Sequence, residues 1–245
     1  MLTILKTIFY TPLYNIFVVF LSIPGIDAGL AVVLLTCIVK LALFPLSKKA
    51  LRSQIQMKEI EPEIKKLKEQ YTDDQATLAK KTMELYKARG INPFSSFVVI
   101  LIQIPIVFSL YHIFSSGAVS TIDTSILYSF VSVPDSVHTI FLGFFDILVK
   151  NHYLAAITAI TQFIQAWLQP IPVQAKKAGD APSFQHDFAR SMSMQMKYIF
   201  PVIVFFITFN LPAVIALYWI TSNMFTIVQE IFLREDRKYL NNLHK

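Results

Sequence analysis

The chain has 245 residues, of which 54% are hydrophobic and only 16% charged, with a formal net charge of +6. Soluble domains carry about 25% charged residues, and here the charges collect in blocks between long uncharged stretches. A soluble globular fold is therefore excluded in favour of alternating lipid-buried and water-exposed segments, and the single cysteine, Cys37, excludes a disulfide framework.

Residues 1–27 contain Tyr10, Pro12, Tyr14 and Asn15 among apolar neighbours, which suits a helix lying in the headgroup region. Pro12 and Asn15 interrupt the apolar run and no small-x-small site precedes Asp27, so a cleaved signal peptide is not expected. An additional span turning at Pro24-Gly25 is the competing reading. Residues 28–47 form the first span, with helix forced on it because hydrocarbon offers no partner for free backbone groups.

Lys40 lies inside this span. A lysine there costs at least ~2.5 kcal/mol. Snorkelling is one reading, but Lys48 lies eight residues on, or about 12 Å along a straight helix. Helical side chains also tilt toward the amino terminus, away from that boundary. Pairing with an acid is another reading, yet the apolar interiors of the spans hold no Asp or Glu, and Glu230 falls near the end of the last one. A water-filled cavity around an unpaired cation remains as the functional reading, beside a structural lysine.

Residues 48–92 carry eleven of the 22 Lys and Arg. Ile60, Ile64, Leu67 and Tyr71, then Leu78, Leu85 and Arg89, recur at helical spacing and predict a cytoplasmic helical hairpin. Thr72 is the expected cap of its second helix, with Gln75 reaching back, and Gly90 the expected stop. A second span follows at 93–115, then an extracytoplasmic loop at 116–151, in which Ile140 to Phe145 reads as a short interfacial helix. The third span covers 152–169, an irregular cytoplasmic loop 170–196, the fourth span 197–211 and the fifth 212–233. The Asn210-Leu211-Pro212 turn makes an antiparallel pair of the last two, and 234–245 form a cytoplasmic tail. The 170–197 and 234–245 stretches hold four basic residues each, whereas the opposite side holds only Lys6 and Lys150. The positive-inside rule then places the hairpin, the second loop and the carboxyl terminus in the cytoplasm.

Several spans bring polar side chains that could line a cavity around Lys40. Thr36 is one turn away, Gln103 lies in the second span, and Thr158, Thr161, Gln162 and Gln165 share one side of the third. Trp219, Thr221, Ser222 and Asn223 lie in the fifth. Each alone is more often glue between helices; together, beside a cation, they predict a hydrated concavity. The histidines have no metal-ligand spacing and the chain has no HExxH, phosphate loop or nucleophile elbow. No enzyme, metal or cofactor is expected. An ion or small-solute transporter and a membrane scaffold presenting the hairpin are the rival functions.

The pieces Phe9-Tyr10-Thr11-Pro12-Leu13-Tyr14-Asn15, Leu35-Thr36 to Lys40, Phe44-Pro45-Leu46-Ser47-Lys48-Lys49, Gly90-Ile91-Asn92-Pro93, Gln103-Ile104-Pro105-Ile106 and Ala216-Leu217-Tyr218-Trp219-Ile220-Thr221-Ser222-Asn223 occur in this order. Together they resemble the YidC/Oxa/Albino membrane protein insertases, in the bacterial form that lacks a large extracytoplasmic domain. The resemblance implies an all-α, polytopic, five-span core in the bacterial plasma (inner) membrane, with a groove open to cytoplasm and lipid. It implies a chaperone-like insertase that moves short hydrophilic segments of nascent membrane proteins across the bilayer. Lys40 would be the groove cation, where the family usually has arginine; lysine keeps the charge but loses the guanidinium fork. The ribosome and the Sec translocon are the further partners implied, with no specific nucleic acid.

Overall fold

The computed structural model describes residues 6–72, 74–92, 95–115, 122–168 and 194–243. The irregular loop expected at 170–196 lies outside the described residues except for its last three.

A π-helical turn, Lys6–Tyr10, leads into α1 (Thr11–Leu21), which has proline in its first turn where no N–H is needed. One face of α1, with Leu13, Tyr14, Phe17, Val18 and Leu21, is buried. Its polar residues are spent on a distant segment. Asn15 donates to the Ile126 carbonyl (3.0 Å) and accepts from the Tyr128 N–H (2.6 Å), Tyr14 Oη accepts from the Asp123 N–H (2.8 Å), and Ser22 donates to the Ser132 carbonyl (2.7 Å). The helix expected in the headgroup region is thereby stitched to residues 123–132.

The first apolar helix, α2 (Ala28–Ala42), is shorter than the 28–47 expectation. Pro45 has no N–H and its ring would strike the carbonyl four residues back. The helix stops at Leu43, and the chain turns by 61° into α3 (Phe44–Glu59). Lys40 therefore sits in the last turn of α2 rather than in the middle of a straight span.

α4 (Glu61–Gln70) and α5 (Gln75–Ala88) pack on each other through Ile60, Ile64 and Ile91 with Met57, Leu85 and Tyr86. Arg89 pairs with Glu63 at 2.6 Å, both half exposed, so the pair contributes about 0.2–1 kcal/mol. Asp74, not Thr72, caps α5: its carboxylate accepts from the Thr77 N–H at 3.0 Å, and the bonds from Thr77 hold that carboxyl below its usual range. Gln75 does reach back, donating to the Thr72 carbonyl. After α5 the Ile91 N–H returns to the Tyr86 carbonyl and the Gly90 N–H to Lys87, with Gly90 at φ +65°. This Schellman ending needs a left-handed residue. Gly90→Ala should cost about 1 kcal/mol and speed amide exchange along α5 in the full-length chain.

α6 (Ser95–Ser115) contains Pro105 and buries Ile106, Leu110, Ile113 and Phe114, with Phe114 edge-on to Phe17 of α1 at 5.4 Å. The short helix expected over Ile140 to Phe145 is instead a β-hairpin, β1 (Ile140–Phe141) against β2 (Phe145–Asp146). Periodicity cannot assign a six-residue apolar run, and Gly143 decides it. Leu142 (φ +47°) and Gly143 (φ +80°) form a turn closed by the Phe144 N–H donating to the Phe141 carbonyl. Two positive φ values make this a type I′ turn, and holding leucine there costs about 1–2 kcal/mol.

This hairpin organises the amino-terminal ends of two long helices. Asp27 caps α2 by accepting from the Leu30 N–H (2.8 Å), and its other oxygen accepts from the Leu142 N–H (3.0 Å). The Ala28 N–H donates to His138, and the Ile147 N–H to Thr139. On the far side, the N–H groups of Ala213 and Val214 donate to Val149 and Ile147. Those two residues open α9 (Ala213–Leu243), so α2 and α9 start from one platform. Asp27→Ala should lose a cap worth about 0.5–2 kcal/mol and free the turn, seen as a lower Tm in detergent.

α7 (His152–Leu168) is capped by Asn151, whose side chain accepts from the Tyr153 and Leu154 N–H groups. α8 (Phe200–Asn210) is preceded by a π-helical turn, Gln195–Ile199, which lengthens the short fourth segment. α8 and α9 meet at Leu211-Pro212 but both pack chiefly on α7, not on each other as a closed pair. By length and composition Ala213–Leu233 can cross a membrane alone, and α2 with α3 only as a bent pair. Leu101, Phe108, Ile160, Phe206 and Phe232 are exposed on α6 to α9, large apolar side chains of the kind that mark a membrane or partner face when they gather.

Candidate functional site

The polar residues of α9 form a single ridge. Trp219, Ser222, Asn223, Thr226, Gln229 and Glu230 fall within roughly 120° of one another at about 100° per residue. The residues expected from sequence to line a cavity end at Asn223. Continuing the same three-four spacing finds Thr226, Gln229 and Glu230. Glu230, expected near the end of the span, is 1% exposed.

One side of the ridge is closed against α7. Trp219 Nε1 donates to Gln162 Oε1 (3.1 Å), Asn223 Nδ2 donates to Thr161 Oγ1 (3.1 Å), and Thr158 Oγ1 reaches the Ala216 carbonyl (3.4 Å) as well as that of Leu154. Thr158, Thr161, Gln162, Ser222 and Asn223 are all buried, so on this side the polar groups hold two helices together. Gln165, next along the α7 face, is half-buried. Gln103 of α6 donates to Tyr218 Oη on the flank of α9 beside the ridge.

The other side faces α2 and α3. Lys40 Nζ donates to Thr226 Oγ1 at 3.4 Å, and Gln229 Nε2 to Ser47 Oγ at 2.6 Å. Lys40 is half-buried. Twelve residues of α2 separate it from Ala28, about 18 Å, and thirteen of α9 separate Thr226 from Ala213, about 20 Å. Since both helices hang from the hairpin platform, the two side chains arrive at one level. A threonine hydroxyl satisfies one of the three donors of an ammonium and none of its charge, so this side can attract an acidic group. Thr36 and Thr221 do not join Lys40, because their hydroxyls donate to carbonyls of their own helices, at Val32 and Leu217.

The chain has known relatives. Residues 19–240 match the family described as 60Kd inner membrane protein. The chain belongs to this family. Proteins named membrane protein insertase YidC from Francisella tularensis subsp. novicida (strain U112) and Francisella philomiragia subsp. philomiragia are each 33% identical to it over 204 residues. That covers 82% of this chain and 31% of theirs, so it spans about a third of the length of those relatives. Membership of an inner membrane protein family supplies a lipid solvent that accounts for the apolar outer faces of α6 to α9. The matched stretch includes α2, α7 and α9, which carry Lys40 and the ridge.

Proposed function

We propose that this chain is a membrane protein insertase and chaperone. The observation that carries the reading is Lys40, held by one neutral hydroxyl on a polar ridge, among helices whose outer faces suit lipid. The names of the 33% identical relatives support it. In this reading α2, α6, α7, α8 and α9 are the five spans, and the lysine-rich α3 to α5 project into the cytoplasm as the positive-inside rule directs. The α1 helix lies at the outer interface.

The mechanism needs no nucleotide and no covalent chemistry. A short hydrophilic tail of a nascent membrane protein enters between α2 and α9 from the cytoplasm. Lys40 attracts its acidic side chains, while Thr226, Gln229 and Ser47 replace part of their hydration. The short helices leave a shortened apolar distance to cross. The apolar helix behind the tail then leaves sideways into lipid, driven by burial at roughly 25 cal/mol per Å². The pairing of α4 and α5 through a narrow apolar stripe serves to recruit substrate, the ribosome or the Sec translocon.

The test is reconstitution. Liposomes holding only this chain should insert a single-span protein with a short acidic outer tail, scored by protease protection, with no nucleotide added. Insertion no greater than in empty liposomes would overturn the reading.

A further inference from the structure

The β1–β2 hairpin is apolar on its inward face and, apart from Asp146 opposite Ile140, on its outward face as well. Phe141 and Phe145 turn inward, their ring centroids 5.5 Å apart, with Phe141 lying over Gly29. Ile140, Leu142 and Phe144 turn outward, and Phe144 is 82% and Leu142 57% exposed. Strands with one face in water alternate apolar and polar residues, and here apolar side chains take the outward positions except at Asp146, whose carboxylate already accepts from the Leu148 N–H.

The turn chemistry repeats the point. A type I′ turn in water favours Asn-Gly or Asp-Gly, whereas this one holds leucine at φ +47°. A residue that is both strained and apolar gains nothing from water at that position, and strain of this kind persists where something else compensates it. The position of the tip says what that is. The Leu142 N–H donates to Asp27, the cap of α2, and the strand that follows holds the first N–H groups of α9. The tip is therefore level with the outer ends of both helices. Farther along the chain Val149 and Tyr153 are exposed, as are Ile157 and Ile160, which share one face of α7 with Tyr153.

We propose that the outward face of the hairpin, Ile140, Leu142 and Phe144, is a lipid-docking wedge seated in the headgroup–acyl boundary of the outer leaflet. Its occupant is lipid because the tip stands level with the ends of α2 and α9, and α7, which starts six residues after β2, exposes the apolar face Tyr153, Ile157 and Ile160; an interfacial apolar face binds in this way. The proposal rests on the reading of α2 and α7 as membrane-crossing. By fixing the depth of the platform, the wedge also fixes the depth at which α2 holds Lys40.

Spin labels test this in the full chain with Cys37→Ala, reconstituted in phosphatidylethanolamine–phosphatidylglycerol vesicles. Labels are placed singly at Phe144→Cys, Ile160→Cys and Ser136→Cys. The label at 144 should relax more with dissolved oxygen than with a water-soluble nickel chelate, as at 160, and the label at 136 should show the reverse. Chelate-dominated relaxation at 144 with oxygen-dominated relaxation at 160 overturns the wedge alone. A label at 144 shielded from both reagents, as beneath a protein partner, also overturns it. Chelate-dominated relaxation at 160 overturns the membrane-crossing reading and the wedge with it.

Discussion

Replacing Lys40 with leucine should slow insertion of substrates with acidic outer tails by about one to two orders of magnitude. Unit charges about 6 Å apart attract by about 3 kcal/mol at an effective dielectric near 20, and each 1.4 kcal/mol is tenfold in rate. Lys40→Arg keeps the charge and should stay within about threefold, since the neutral Thr226 hydroxyl demands no particular geometry of its donor. Lys40→Glu should be worse than leucine for acidic tails, because like charges now meet, and better than wild type for the same tail with its acids changed to lysine. That crossing of preferences separates an electrostatic role from a packing one. A packing lysine would tolerate leucine well and would show no exchange between tail charge and groove charge. Thr226→Val removes the holder and not the charge, so its effect should be severalfold smaller and the same for acidic and neutral tails. Wild-type rates for Lys40→Leu on acidic tails would end the electrostatic account.

The parts of this site that were legible in the sequence are those written in local spacing. Thr161 and Gln162 on one face of α7, and Trp219, Ser222 and Asn223 on one face of α9, follow from helical periodicity alone, and the structure joins Trp219 to Gln162 and Asn223 to Thr161 across the helix interface. Periodicity could have continued to Thr226 and Gln229. The burial of Glu230 was not legible, because a carboxylate near a span end reads as water-facing. The end of α2 was legible in Pro45, yet an apolar run through Leu46 outweighed one proline in setting the span. The docking of the hairpin on α2 and the stitching of α1 were not legible, because their partners lie more than a hundred residues apart: Asn15 meets Ile126 and Asp27 meets Leu142. Such pairings depend on where helices pack, which no local pattern encodes. The common level of Lys40 and Thr226 belongs with these, as it follows from a platform that sequence spacing does not show.

That platform makes a prediction of opposite sign to helix propensity. Gly29 stands in the first turn of α2, where Gly→Ala ordinarily stabilises by about 0.4–1 kcal/mol. Here a Cβ would lie 2.8 Å from Phe141 Cγ and 2.9 Å from its Cβ, the rigid root of the ring rather than its free end. Relieving that contact means lifting β1 off α2, at about 1–3 kcal/mol for overpacking, so packing outweighs propensity and Gly29→Ala should destabilise. Gly29→Val should be more severe, lowering Tm in detergent by several degrees at about 2–4 °C per kcal/mol. Because the hairpin also holds the first turn of α9, lifting it lets α2 slide relative to Thr226, and insertion should fall although no groove residue has changed. The control is Phe141→Ala, which removes the ring that Gly29 accommodates. In that background Gly29→Ala should cost little or become stabilising, giving a coupling of about 1–3 kcal/mol between the two sites. Additive effects of the two substitutions would mean that α2 and the hairpin are not held by this contact, and the shared level of Lys40 and Thr226 would need another cause.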